Sequence, residues 1–149
     1  MGQSILSRLH QDHLEIKRLL EKLTKTNDEV EKKETYLLMR EELLSHMEGE
    51  EKTIYSHLIE DVGDEDAEKV AHDAEYEHDI IRALFEKLDN IPIVEQRWST
   101  GFINLQQQIL THLVNEEQSL FKEALKDFSQ QELTEYETAF NEIRQHFES

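Results

Sequence analysis

One short pattern in the sequence decides the expected fold, and it occurs twice. Residues 44–51 read Leu44-Ser45-His46-Met47-Glu48-Gly49-Glu50-Glu51, and residues 110–117 read Leu110-Thr111-His112-Leu113-Val114-Asn115-Glu116-Glu117. In each copy a glutamate follows a histidine by four residues. Since four residues make about one helical turn, both side chains project from the same helix face. We therefore expect two helices that turn His46 with Glu50, and His112 with Glu116, towards the protein interior.

A second repeat lies N-terminal to each copy of this pattern. Residues 13–23 align with residues 78–88, with His13 opposite His78, and six of the eleven positions are identical. The offset is 65 residues for these segments and 66 for the first pair. One helical hairpin thus occurs twice, which predicts an all-α fold, an up-down-up-down four-helix bundle.

Apolar spacing and capping residues place the individual helices. The first three are expected over about 4–25, 29–60 and 64–89, a fourth ends near 127, and a short fifth helix covers about 129–147. Ser4 and Asp64 are the expected N-caps, Ser129 and Glu132 form an expected capping box, and Pro92 is expected near the first position of the fourth helix. We treat residues 1–149 as a single domain, with the bundle over about 4–127 and the fifth helix packed against it.

Composition excludes several classes of protein. The formal charge of −18 argues against nucleic-acid binding, because such a chain repels phosphates. The absence of cysteine excludes disulfides, iron–sulfur clusters and thiolate zinc sites. Apolar runs are too short for a membrane span, and the start lacks the apolar stretch of a signal peptide. The expected location is therefore cytoplasmic.

The spacing of the histidines points to a metal site. His13, His46, His78 and His112 are separated by 33, 32 and 34 residues, which in such a bundle returns all four to one level. The inward stripes offer no lysine or arginine to compensate the two glutamates, so one or two divalent metals would supply the missing positive charge. Imidazole with carboxylate suits iron, zinc, manganese, nickel or copper, and two bridging carboxylates favour a two-metal site. The competing interpretation is that each histidine is an ordinary hydrogen-bonded core residue. Glu51 and Glu117 are expected to point aside.

This combination of motifs resembles the hemerythrin-like family, also called HHE cation-binding domains, over about residues 4–127. The resemblance implies a non-haem di-iron centre, two iron ions (Fe2+/Fe3+) with an oxo or hydroxo bridge; zinc or manganese would also suit the donors. Carried over by position, the implied ligands are His13 and His46 for one metal, His78 and His112 for the other, and Glu50 and Glu116 as bridges. Ferritin-like bundles compete through Glu75-Tyr76-Glu77-His78, but the order of histidine and glutamate favours the hemerythrin-like family.

The sequence also departs from the oxygen carriers of that family. Ala74 stands where they have a fifth histidine. Glu75 and His10 lie three residues before His78 and His13, and each is either an additional metal ligand or a hydrogen-bond partner that orients an imidazole. Glu117 competes with Glu116 as the last carboxylate, and geometry favours Glu116.

The resemblance implies a di-iron protein that binds or senses O2 or NO, or handles redox chemistry or iron. The alternative is a metal-binding protein without turnover, for iron storage or as a zinc-stabilised interaction module. Whether the protein is an enzyme stays open, and a protein partner is not identified.

Overall fold

The computed structural model describes residues 4–148, and these form a helical bundle without strands. The helices are α1 (Ile5–Lys25), α2 (Glu29–Glu50), α3 (Ser56–Glu60), α4 (Glu65–Asp89), α5 (Gln96–Asn115), α6 (Phe121–Asp127) and α7 (Gln130–Glu148). α1 packs on α2, and α4 packs on α5. The predicted all-α bundle of two repeated hairpins with a further C-terminal helix is confirmed.

Side chains cap the helices where the sequence predicts it. The Ser4 hydroxyl accepts from the backbone N–H of Leu6, and Asp64 accepts from that of Asp66. Ser129 and Glu132 each accept from the other's backbone N–H, which completes the capping box. Gly63, before Asp64, has a φ of +72°, a conformation that glycine adopts without strain. These contacts fix where the hairpins begin and turn.

Two features of the helices differ from the prediction. α5 begins at Gln96, and Pro92 lies in the preceding turn, where its carbonyl accepts from the N–H of Glu95 at 3.0 Å. Pro92 is therefore not at the first helical position. In addition, π-helical turns at Glu51–Tyr55 and Glu116–Leu120 connect α2 to α3 and α5 to α6. Each π turn directly follows or includes the glutamate of a repeated pattern, and such turns are frequent at functional sites.

The apolar core is divided into two clusters of buried residues. One contains Ile16, Leu43, Ile81 and Ile109, and the other contains Leu9, Ile54, Ala74 and Leu120. In α1 and α4 a repeated histidine lies between a residue of the first cluster and a residue of the second. After the histidines of α2 and α5, the second cluster begins in the following π turn, at Ile54 and at Leu120. The fold therefore holds a layer of buried polar side chains between two dry apolar layers.

α7 packs against α1 and α2, on the first hairpin. Its buried face carries Leu133, Tyr136, Phe140 and Arg144. A Cβ placed on Gly49 of α2 would lie 2.6 Å from the Phe140 ring, so glycine is what allows this close approach. None of the helices within the described residues is long and apolar enough to span a membrane.

Gly49→Ala tests the close contact between α2 and the Phe140 ring of α7. Alanine favours a helix by about 1 kcal/mol over glycine, but overpacking a core costs about 1–3 kcal/mol. Because a ring has no flexible end that can move aside, we expect a net loss of stability in chemical denaturation of the metal-free protein. Gly49→Ala combined with Phe140→Leu should lose less than the two single changes added together. Unchanged stability of Gly49→Ala would contradict the packing of α7.

Candidate metal centre

The structure brings the four repeated histidines together in the polar layer of the bundle. His13 on α1, His46 on α2, His78 on α4 and His112 on α5 are all at most 1% exposed. The rings of His13 and His46 are 5.1 Å apart between centroids, and those of His78 and His112 are 4.6 Å apart. The hairpin repeat thus produces two facing pairs of imidazoles.

Glu50 and Glu116 lie between these pairs and are also buried. Glu50 Oε1 is 3.2 Å from His46 Nε2 and 3.3 Å from His78 Nε2, so this carboxylate contacts a histidine from each pair. Glu116 does the same, with Oε1 3.0 Å from His13 Nε2 and Oε2 3.4 Å from His112 Nε2. Each glutamate therefore spans both halves of the cluster.

Two overlapping sets of four donors result from this arrangement. One consists of His13, His46, Glu50 and Glu116, and the other of His78, His112, Glu50 and Glu116. Within each set the donor atoms all lie within 4.8 Å of one another. We call these six residues the inner cluster.

Four further carboxylates surround the inner cluster. Each accepts a hydrogen bond from the Nδ1 atom of one histidine, the ring nitrogen that faces away from the cluster. Two of these bonds lie within a hairpin: Asp12 with His46 at 2.9 Å, and Glu77 with His112 at 2.6 Å. Two connect the hairpins: Glu51 with His78 at 2.6 Å, and Glu117 with His13 at 2.7 Å. We call Asp12, Glu51, Glu77 and Glu117 the outer carboxylates.

Asp12 and Glu77 had no predicted role, and Glu51 and Glu117, which were expected to point aside, each bind a histidine of the other hairpin. The repeat contained the signal, because Asp12 aligns with Glu77 and Glu51 aligns with Glu117. Three of them have a lowered pKa despite partial burial. Hydrogen bonds with His46 lower the pKa of Asp12, those with His78 and Arg82 lower that of Glu51, and those with His13 and His10 lower that of Glu117. These carboxylates are therefore ionised acceptors.

The outer carboxylates determine which ring nitrogen carries the proton. A carboxylate can only accept, so each Nδ1 must donate and each neutral imidazole then presents a lone pair on Nε2. All four Nε2 atoms face the inner cluster. His78 Nε2 and His112 Nε2 are only 3.0 Å apart, which places two lone pairs against each other. A cation between the facing nitrogens would turn this repulsion into attraction.

Glu50 gives a second indication that the inner cluster suits a cation. Neither of its buried side-chain oxygens forms a hydrogen bond of acceptable geometry within the described residues, and neither does His46 Nε2. Burial, together with the neighbouring Glu116 carboxylate, raises the pKa of Glu50 well above its usual value. The pKa of Glu116 is instead well below its usual value: burial opposes this, but the interactions of Glu116 with the neighbouring Glu50 carboxyl and with His13 prevail. Without metal, Glu50 is thus the carboxyl that takes up a proton, and the donors present fit metal ions.

Tyr55 and Phe121 occupy equivalent positions in the repeat, and the π turns place both rings over the inner cluster. Tyr55 stacks on His78, with centroids 5.1 Å apart, and Phe121 stacks on His13 at 6.1 Å. The Tyr55 hydroxyl also donates to Glu116 Oε2 and lies 3.2 Å from His78 Nε2. Tyr55 therefore does more than pack in the core, and its counterpart Phe121 offers no hydroxyl to Glu50.

The structure does not bring His10 or Glu75 into the inner cluster. The side chain of His10 is 51% exposed, and its Nδ1 lies 2.9 Å from Glu117 Oε1. Glu75 lies at the surface, where its Oε1 is 3.0 Å from Nδ1 of His72. His10 thus contacts an outer carboxylate, while Glu75 contacts the exposed His72.

Comparison with known proteins agrees with this geometry. The sequence model of the hemerythrin HHE cation-binding domain matches residues 4–124. The crystal structure of a hemerythrin HHE cation-binding domain-containing protein from Mycobacterium kansasii is similar in fold, with a TM-score of 0.84 and 20% sequence identity over 97% of this chain and 87% of the other. No curated protein matches the sequence significantly. The chain belongs to the hemerythrin HHE cation-binding domain family.

Glu50→Gln should have opposite effects on stability and on metal binding. Because the folded-state pKa of Glu50 is raised, its carboxyl destabilises the metal-free protein increasingly as the pH rises above the ordinary value of 4.5. Glu50→Gln should therefore raise the stability of the metal-free protein at pH 7 and flatten this part of its pH dependence. It should also weaken metal binding by at least roughly tenfold. Denaturation and cobalt titration measure the two effects, with the exposed Glu41→Gln as control; a Glu50→Gln protein that is less stable without metal would contradict this account.

Glu117→Gln tests whether the charge of an outer carboxylate strengthens metal binding. It keeps an acceptor for His13 but removes the charge, and we expect metal affinity to fall about 10–100-fold. His10→Ala is the matched variant, since His10 shares Glu117 but lies outside the inner cluster; its affinity should change little. If competition titrations showed that His10→Ala loses as much affinity as Glu117→Gln, His10 would have to be counted among the ligands.

Proposed function

We propose that this protein is a non-haem di-iron protein that binds or senses O2 or NO, or uses its metals in redox chemistry or iron handling. The observation that supports this best is the pair of four-donor sets that share Glu50 and Glu116. Carboxylates that contact histidines from both pairs are suited to bridge two metal ions. His13 and His46 would hold one ion, and His78 and His112 the other.

The negative charge of the inner cluster also favours the binding of metal ions there. The inner cluster combines two carboxyl groups with four nitrogen lone pairs, and a buried carboxylate without a partner costs several kcal/mol or is neutralised by a proton. Two nearby arginines pair with outer carboxylates: Arg144 binds Asp12, and Arg82 binds Glu51. Metal ions would supply positive charge at the inner cluster itself.

The donor types are compatible with iron. Each set offers two imidazole nitrogens and two carboxylates, which suit iron, manganese and zinc. When bound, a pair of iron ions with an oxo or hydroxo bridge would supply reversible electron transfer and open positions for a small ligand. The chain's own residues fix the imidazoles through the outer carboxylates, and the two apolar clusters keep bulk water away from the site.

The structure offers less support for the alternative functions. Saturation of both metals by His10 and Glu75 was the reason to expect storage or a purely structural zinc site, and neither residue lies in the inner cluster. An interaction module would be favoured by an exposed apolar face on α7, but Leu133, Tyr136 and Phe140 of that helix are buried against the bundle. The cytoplasmic location stays a prediction.

Metal analysis combined with spectroscopy tests the proposed function. Protein purified from iron-containing medium should hold about two iron ions per chain and show ligand-to-metal charge-transfer bands that change on exposure to O2 or NO. His72→Ala, at an exposed position, should behave in the same way, whereas His112→Ala should lose metal. Zinc in place of iron, with no spectral response to either gas, would contradict the proposed role and support a structural metal.

A further inference from the structure

A surface groove reaches the inner cluster from the side of the second hairpin. It lies between α4 and the chain around the second π turn, has a volume of about 360 Å³, and is lined among others by Ala74, Glu77, Asn115, Glu116 and Ser119. We call it the Ala74 groove. Glu116 belongs to the inner cluster, although its side chain is fully buried, and Glu77 is the outer carboxylate that binds His112. The groove therefore extends from the surface to the edge of the half that contains His78 and His112.

The repeat defines an equivalent position on the first hairpin. Ala74 corresponds to Leu9, Glu77 to Asp12, Asn115 to Gly49, and Ser119 to Thr53. Asn115 and Ser119 are exposed, but Gly49 and Thr53 are buried. The side chain of Glu77 is 29% exposed, whereas that of Asp12 is 8% exposed. The two halves of the bundle therefore differ most where the groove lies.

α7 accounts for this difference. Phe140 lies against Gly49, Arg144 donates to Asp12 at 3.0 Å, and Asn141 accepts from Arg8, the counterpart of Asp73 in the groove. The helix thus occupies on the first hairpin the space that is the Ala74 groove on the second. Glu77 contacts Asn115 there instead of an arginine.

We propose that the Ala74 groove is the entrance through which divalent metal ions reach the inner cluster, and that α7 closes the equivalent entrance on the first hairpin. Lys69 also lines the groove and is paired with Asp73 at 2.7 Å, so the partly exposed carboxylate of Glu77 is the acidic group there that attracts cations. Ala74 keeps the passage open, because its counterpart is the larger Leu9. This inference rests on the proposed function, since it requires that the inner cluster binds metal.

A reversible block of the groove tests the inference. The chain has no cysteine, so Ser119→Cys can be labelled at that position alone with benzyl methanethiosulfonate. Uptake of cobalt(II) by the metal-free protein is then followed by its visible absorption in a stopped-flow instrument. We expect the benzyl group to slow uptake at least about tenfold without changing the final amount bound, and removal of the group by a phosphine reductant to restore the rate.

Two matched variants serve as controls. Gln118→Cys places the same label on the neighbouring exposed residue, outside the groove, and should leave the rate unchanged. Ala74→Leu introduces the side chain of its counterpart and should slow uptake, whereas Ala83→Leu, at an exposed position of the same helix, should not.

The outcomes separate the inference from the function on which it rests. If labelled Ser119→Cys takes up cobalt as fast as labelled Gln118→Cys, the groove is not the entrance, although the protein still binds metal. If the unlabelled wild-type protein takes up no cobalt, the proposed function fails and the entrance fails with it.

Discussion

The structure depends on how four histidines and two glutamates can share one buried volume. The outer carboxylates hold the Nδ1 protons, so the Nε2 lone pairs of all four imidazoles face inwards, beside the carboxyls of Glu50 and Glu116. These lone pairs and carboxylates repel one another unless protons or metal ions lie between them. Metal binding and folding are therefore coupled: ions that bind the folded chain would stabilise it, and the metal-free protein must protonate its donors instead.

Because of the internal repeat, each hairpin supplies the same types of side chain to this arrangement. Each hairpin contributes two histidines, one inner glutamate and two outer carboxylates, and Glu51 and Glu117 connect each hairpin to a histidine of the other. Orientation of the ligands thus depends on correct pairing of the hairpins. The symmetry is broken at two places. Tyr55 offers a hydroxyl that Phe121 lacks, and α7 packs on the first hairpin. Both differences leave the half with His78 and His112 more polar and more accessible.

Much of the fold followed from periodicity, because residue types at helical spacing report which face is buried. The bundle, the Ser4 and Asp64 caps and the Ser129–Glu132 capping box are confirmed. The hydrogen bonds of the outer carboxylates were not predicted. A residue about 100° around the helix from the inward face points away from the bundle axis, yet its side chain reaches a histidine on another helix. The hydrogen bond from Tyr55 to Glu116 could not be predicted, because the π turn that positions the Tyr55 hydroxyl has no clear sequence signature. His10 lies in the correct direction around α1, but nearly a turn from the level of His13, where it meets Glu117 instead.

Anomalous diffraction at the iron absorption edge tests the central claim most directly. Crystals of protein loaded with Fe2+ should give two anomalous peaks, roughly 3.5–4 Å apart, one between His13 and His46 and the other between His78 and His112, and both should vanish below the edge. Glu50 and Glu116 should each contact both peaks. A site that stays free of anomalous density under these conditions, with the carboxyls protonated or bridged only by water, would contradict the claim that metal ions hold these buried donors together.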